Sequence, residues 1–253
     1  QGEWGAQDLT GAADGPPMKF GLSIADLTSG MHAVEGILLA LVQRARTGRG
    51  DRVDVALSDS LLALLTYQGQ MALTGGQAPR RLGNAHPSIV PYQSFATRDA
   101  WINVGVGNDS LWKKFCGAIG RADLLDEPRY ATNKDRVVAR DDLVADLATT
   151  FAGDDTARWQ AALTEAGVPC GPIRDVVTAL ADAKGDVRGM VTEVQDPDAG
   201  PLAMVGNPVK VGSLGMTPAY SPPPKLGADT DEILAGVGYS TEAIAELRAG
   251  GVV

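Results

Sequence analysis

Apolar residues recur every three or four positions over residues 24–42, which is the spacing of one face of an α-helix. Asp26, His32 and Glu35 interrupt this segment. Polar groups at that density are costly in a lipid bilayer, so the sequence predicts a core helix here rather than a membrane span. His32 and Glu35 stand three residues apart, which predicts an ordinary side-chain pair on the helix surface.

Strict alternation of apolar and polar residues follows over 52–57 and predicts a β-strand. The apolar residues from Leu61 to Leu73 then predict a second helix, with Ser58 or Asp59 as its N-cap. Helix, strand and helix in that order are typical of an α/β fold.

Residues 74–91 break this pattern with a series of glycines and prolines and no periodic signal. A connection of that length predicts a binding loop or a linker. Strands at 92–95 and 101–106 follow, and helices are predicted at 110–119, 140–151 and 156–166. This middle block has the pattern of a small α+β unit.

The last third of the chain mixes short helices and short strands between prolines. The predicted helices are 176–183, 229–234 and 241–247, with Thr241 and Glu242 as the cap and first-turn acid of the last one. The predicted strands are 191–194, 202–205 and 209–211.

Composition and charge narrow the function classes. The 253 residues carry 22 Lys plus Arg against 31 Asp plus Glu, a net charge of −9. This balance argues against a nucleic-acid-binding protein, which needs a basic face against the phosphates. The two cysteines, Cys116 and Cys170, have neither metal-site spacing nor the density of a disulfide scaffold, which predicts structural thiols, no metal site and a reducing, cytoplasmic setting.

Three other groups of residues have both an ordinary and a functional interpretation. Gly105 and Gly107 form half of a dinucleotide-binding fingerprint, but a turn with an Asn or Asp helix cap explains them. The arginines at 44, 46, 49 and 52 form a solvated helix end or meet an anionic tail of a ligand. His86 lies in the Gly/Pro-rich loop and is a candidate for lining a site.

Several stretches, in order along nearly the whole chain, resemble the class III coenzyme A transferases, the group of formyl-CoA transferase and the carnitine CoA-transferases. They are LTG at 9–11, DGPP at 14–17, SIADLTSG at 23–30, RTGRG at 46–50, RLGNAHP at 81–87, PYQ at 91–93, GVPCGP at 167–172 and the C-terminal GGVV.

The resemblance implies a Rossmann-like large domain built from both ends of the chain, with a small α+β domain inserted in it. Two subunits would interlock as linked rings in a homodimer. On this basis residues 1–73 and 186–253 belong to the large domain, 74–91 form the linker and 92–185 form the small domain. The chain is then expected to be the C-terminal part of a longer polypeptide or to act with a chain that carries the other half.

The implied reaction moves CoA from an acyl-CoA to a carboxylic acid through a covalent aspartyl anhydride and thioester, with no permanently bound cofactor. The nucleophilic Asp is expected just upstream of Gln1. A loop that offers N–H groups shields and stabilises the acyl intermediates. The residues matching this role, with fewer glycines than in formyl-CoA transferase, are Gly83, Asn84, Ala85, His86, Tyr92 and Gln93.

Two alternatives stay open at this point. An α-methylacyl-CoA racemase would share the fold but move an α-proton, and the chain could instead be a non-catalytic subunit or fragment of a CoA-transferase. The donor and acceptor acids are not defined by the sequence, and no membrane partner is expected.

Overall fold

The computed structural model describes residues 1–76, 78–214 and 220–253. Gln77 of the predicted linker and residues 215–219 of the predicted return to the large domain lie outside the described residues. The chain divides into two compact units, Gln1–Ile173 and Arg174–Val253, each with most of its contacts within itself. The predicted boundaries at 73, 91 and 185 stay a prediction.

The first unit begins with four helices. They are α1 (Ala6–Leu9), α2 (Ile24–Thr47), α3 (Leu57–Ala63) and α4 (Thr66–Gly75). The helix predicted from 61 to 73 is thus two helices, separated at Leu64 and Leu65, and Thr66 has a positive φ of 43°. The predicted caps Ser58 and Asp59 lie inside α3, whose N-cap is Ala56 without a side-chain hydrogen bond.

The strand predicted at 52–57 is wrong. Residues 51–56 run without regular structure into α3, and no strand among the described residues pairs with them. Instead the segment lies on α2, where a Cβ placed on Gly36 would come within 2.6 Å of Val53 Cγ1. Alternation alone does not make a strand, because a strand needs a partner for its backbone hydrogen bonds.

Helix α2 is not buried as a core helix should be. Thr28 is its only buried residue among those described, whereas Val34 is 57% and Leu39 is 70% exposed. By length and composition α2 could cross a membrane; its most apolar window has a mean hydropathy of 1.3 and is 11% buried. The prediction of a core helix is therefore not met by the contacts within this chain.

The middle of the chain has the predicted strands and helices. The hairpin β1 (Tyr92–Ala96) and β2 (Trp101–Gly105) is antiparallel, and β3 (Cys170–Pro172) adds to β2 in the order β1-β2-β3. The helices are α5 (Asp109–Ala118), α6 (Asn133–Val138), α7 (Arg140–Ala152) and α8 (Thr156–Glu165), with short 3₁₀ turns at Ala122–Leu125 and Pro128–Tyr130.

The main hydrophobic core lies within this middle region. Helices α5, α7 and α8 bury their apolar faces against the sheet, and Phe95, Phe115 and Phe151 are fully buried at its centre. The Phe95 and Phe151 rings stack with their centroids 4.7 Å apart. This packing gives the hairpin and the loop before it a firm support.

The second unit consists of α9 (Val176–Ala183), the antiparallel pair β4 (Val191–Asp196) and β5 (Gly200–Val205), a 3₁₀ turn at Gly212–Leu214, α10 (Thr230–Gly236) and α11 (Thr241–Ala249). The strand predicted at 209–211 is wrong, because these residues have no pairing partner among the described ones. The cap of α11 is Ser240, one residue before the predicted Thr241, and Glu242 lies in its first turn.

Candidate functional site

The loop that precedes β1 turns sharply at the predicted residues 83–86. The Ala85 N–H donates to the Leu82 carbonyl over 3.0 Å and closes the turn. Gly83 has a φ of +59°, in the left-handed region that glycine adopts without strain. Among the described residues, no acceptor is bonded to the backbone N–H of Gly83 or of Asn84. Both residues are exposed, so the tip of the turn has two backbone N–H groups that no described protein acceptor occupies.

His86 fixes the return of the loop to the sheet. Its N–H donates to the Tyr92 carbonyl over 2.9 Å. Its ring lies between those of Tyr67 and Tyr92, with centroid distances of 6.2 and 5.3 Å. The Ser88 N–H donates to His86 Nδ1 over 3.2 Å, which places the proton of the neutral ring on Nε2. These contacts give His86 a positioning role in the loop.

Helices α6 and α7 hold the other side of the loop through its carbonyl groups. Arg136, fully buried, donates from Nε to the Val90 carbonyl over 2.8 Å. Arg140 donates from one terminal nitrogen to the carbonyls of His86 and Pro87, at 2.9 and 3.1 Å. The charge of each arginine strengthens these bonds and orders the loop. Neither arginine was predicted from the sequence as part of the site.

Two cavities flank the loop. The smaller, of about 380 Å³, has an uncharged lining among the described residues: Asn84, Tyr92, Gln93, Ser94, Asn103 and Cys170 supply its polar groups. Gly105 packs closely against this tyrosine, since a Cβ on it would lie 3.1 Å from Tyr92 Cε2. The larger, of about 1170 Å³, is lined by Leu82, Ala85 and Gln93 and by three arginines. Gln93 thus lies between the two cavities.

Four of the six predicted site residues line at least one of the two cavities. Asn84, Tyr92 and Gln93 line the smaller cavity, and Ala85 joins Gln93 at the larger one. Gly83 and His86 line neither cavity: Gly83 is exposed at the tip of the turn, and His86 shapes the loop.

The ordinary interpretations hold at the glycine pair. Asn108 caps α5, accepting the Leu111 N–H over 2.9 Å. Gly105 is the last residue of β2 and Gly107 lies in the short connection before α5, so a strand end and a helix cap account for this segment.

His32 does not pair with Glu35 as predicted. Its Nδ1 lies 3.0 Å from the hydroxyl of Ser60, which is buried. The hydroxyl belongs to α3, so this contact joins α2 to α3. At the end of α2, Arg52 forms an ion pair with Asp54 and the three arginines before it are exposed.

The cysteines are free thiols, and burial raises the pKa of Cys116 to about 12. Such a thiol is unreactive, in agreement with a structural role. Within the described residues there is no cluster of His, Cys, Asp or Glu that could hold a metal ion.

These features define a mixed α/β protein with a glycine turn, two free loop N–H groups and an adjoining uncharged cavity. Residues 1–230 match the family model for CoA-transferase family III, and the chain belongs to this family.

Individual relatives are similar to this chain over nearly its whole length. The chain is 37% identical over 253 residues to an acyl-CoA transferase of Fusarium pseudograminearum, covering 99% of this chain and 55% of that protein. It is 36% identical over 250 residues to a succinyl-CoA:glutarate CoA-transferase of Mus musculus, covering 98% and 57%. The crystal structure of a CAIB/BAIF family protein from Brucella suis is similar, with a TM-score of 0.79 and 35% identity over 94% of this chain and 61% of that one. The chain therefore spans just over half the length of these relatives.

Proposed function

We propose that the protein containing residues 1–253 transfers CoA from an acyl-CoA to a carboxylic acid. The observation that carries this proposal is the pair of free N–H groups on Gly83 and Asn84 beside the uncharged cavity. Such N–H groups stabilise an oxyanion that develops at a carbonyl.

The proposed reaction runs through one nucleophilic carboxylate, an Asp in a part of the protein outside residues 1–253. The Asp oxygen attacks the thioester carbonyl, the C–S bond breaks, and a mixed anhydride and CoA thiolate result. The thiolate attacks the aspartyl carbonyl of the anhydride and releases the donor acid, leaving an aspartyl-CoA thioester. The acceptor acid repeats the two steps in reverse, so atoms and charges balance and no bound cofactor is needed.

Family membership and the relatives support this proposal. A succinyl-CoA:glutarate CoA-transferase and an acetyl-CoA:oxalate CoA-transferase of Acetobacter aceti are among the similar proteins. We further propose that residues 1–253 alone do not transfer CoA, because the nucleophile and part of the CoA pocket lie elsewhere.

The proposed assembly is a homodimer of interlocked rings, in which a large domain from both chain ends carries the small inserted domain. Its support is the exposed apolar surface of α2, which includes Met31, Val34, Leu38 and Leu39. Surfaces of this kind are covered in stable proteins. We propose that the remainder of the large domain covers α2, and that the protein is cytoplasmic, in keeping with its free thiols.

The function is tested with the intact protein, including any residues that flank 1–253. Incubation with an acyl-CoA and a labelled acid should give labelled acyl-CoA, and hydroxylamine should trap an aspartyl hydroxamate. Asn84→Asp should lower kcat by about tenfold or more, because a carboxylate beside the oxyanion opposes its charge, while Asn84→Ala should cost less. Label at the α-carbon from deuterated water without acid exchange would instead indicate a racemase and contradict the proposal.

A further inference from the structure

The larger cavity contains a group of cations whose charge the protein only partly balances. Arg80, Arg81 and Arg140 line it, and we call these three residues the arginine pocket. Arg81 forms an ion pair with Asp8. Asp141 is the carboxylate among the described lining residues. The arginine pocket thus has a net positive charge in a chain whose overall charge is −9.

Arg140 is the most constrained member of the arginine pocket. It is half-buried, and its hydrogen bonds to described residues go to backbone carbonyls rather than to a carboxylate. Its guanidinium bonds only backbone carbonyls through one terminal nitrogen, while the other, Nη1, is buried without a hydrogen-bond partner among the described residues. Burial lowers the pKa of Arg140; Arg80 lowers it further, and Asp141 acts in the opposite direction. A buried cation with a free N–H favours an anionic ligand.

Two further donors point to the same conclusion. The Nε of Arg81 is also buried and has no hydrogen-bond partner in the part of the chain that the structure describes. Arg80 is exposed and makes neither a hydrogen bond nor an ion pair to any described residue. A planar guanidinium matches the two oxygens of a carboxylate, and three of them around a cavity provide more donors than the protein itself uses.

We propose that the arginine pocket binds the distal carboxylate of a dicarboxylic acid, the carboxylate that does not receive CoA. This inference rests on the proposed function. The pocket adjoins the loop at Ala85 and Gln93, and Gln93 also lines the smaller cavity, so an acid bound to the arginines lies beside the loop. A single carboxylate matches the small excess of positive charge better than the several charges of a nucleotide phosphate chain. Relatives named for glutarate, oxalate and mesaconate act on acids with two carboxylates.

The test uses the intact protein and the variants Arg80→Met and Arg80→Lys. The acceptor acids are glutarate and pentanoate, which have equal carbon number and differ in the second carboxylate. In a two-step exchange, kcat/KM for the acceptor reports only its own half-reaction. Arg80→Met should lower kcat/KM for glutarate about 10- to 100-fold and that for pentanoate less than about twofold. Arg80→Lys should restore part of the loss, and Arg188→Met, an exposed arginine of the second unit, should change neither value.

The remaining outcomes distinguish a carboxylate from the phosphates of CoA as the bound anion. They also distinguish failure of the carboxylate site from failure of the proposed function. An equal loss with both acids would overturn the carboxylate site. Butanoyl-pantetheine lacks the nucleotide phosphates of butanoyl-CoA. If Arg80→Met lowers kcat/KM for butanoyl-CoA as the donor but not for butanoyl-pantetheine, the pocket binds CoA, and the carboxylate site is overturned. If the protein transfers no CoA at all, the proposed function fails by itself. The site is then decided by ¹³C-glutarate binding in NMR: binding that Arg80→Met abolishes supports it, and absent or unchanged binding overturns it.

Discussion

The guanidinium of Arg136 and the carbonyl of Val90 are joined by a 2.8 Å hydrogen bond that has no access to solvent. The same side chain donates to the Tyr130 carbonyl and forms an ion pair with Asp109, and its Cζ lies 4.8 Å from the centroid of the Trp112 ring. One buried cation thus connects the end of the candidate loop with helix α5 and the core behind it. The position of the loop depends on the core of the middle region through this side chain.

Arg136→Met should lower the free energy of unfolding by about 3 kcal/mol, because it leaves two buried carbonyls without a donor and Asp109 without its partner. Hydrogen exchange in β1 and α5 should become faster. Arg136→Lys keeps the charge but cannot reach all three acceptors, so it should lie between wild type and Arg136→Met. Wild-type exchange rates in Arg136→Met would contradict this role.

The hairpin and helices of the middle region were predictable because their signals are local. Alternation defines β1 and β2, apolar spacing defines α7, and Asn108 is a recognisable cap. The loop itself was predictable from its glycines, its prolines and its length. The roles of its residues, apart from His86 as a candidate, came only from the resemblance to a family, since a glycine turn has no periodicity.

The failures have non-local causes. The segment at 51–56 alternates like a strand but has no partner to pair with, and a sequence window does not contain that information. Arg136 and Arg140 resemble solvated helix residues in sequence, because arginine is rarely fully buried. Only the fold shows that carbonyls of a loop about 46 to 54 residues earlier meet them.

Stability in acid should depend on Asp99, in the turn between β1 and β2. Its Oδ1 accepts the backbone N–H of Thr156 over 2.8 Å and the hydroxyls of Thr156 and Thr97. These bonds, the Thr156 N–H first, lower the pKa of Asp99 from 3.8 to about 2. A lowered pKa stabilises the fold above the unfolded value, and this contribution is lost as the pH falls through the folded value.

The wild-type protein should therefore lose thermal stability between pH 4 and about 2 more steeply than Asp99→Asn. Asp14→Asn, at an exposed position, provides the matched control and should follow the wild-type profile. Melting temperatures measured by circular dichroism at each pH make the comparison. Parallel profiles for wild type and Asp99→Asn would contradict the assignment.

The two thiols should differ in reactivity. Cys116 is fully buried with a pKa of about 12, whereas Cys170 is half-buried and lines the smaller cavity. Iodoacetamide at pH 8 should label Cys170 at least about tenfold faster than Cys116, because only an accessible thiolate reacts. Peptide mass spectrometry of timed samples measures both rates, and Cys170→Ser should leave a protein that is labelled slowly. Equal rates in the folded protein would contradict the burial of Cys116.

Helix α2 provides the most direct test of the proposed assembly. Leu38 is 56% exposed in this chain. If its face of α2 is also exposed to solvent in the intact protein, Leu38→Glu should leave the free energy of unfolding nearly unchanged. If the rest of the large domain covers it, the new carboxylate is buried without a partner and should lower the free energy of unfolding by at least about 2 kcal/mol. Gln43→Glu, on an exposed part of the same helix, should change it by less than about 0.5 kcal/mol. An unchanged free energy of unfolding in Leu38→Glu would contradict the proposal that the large domain covers α2. Binding of the wild-type protein to lipid vesicles, abolished by Leu38→Glu, would contradict it as well, because lipid would then be the partner of α2.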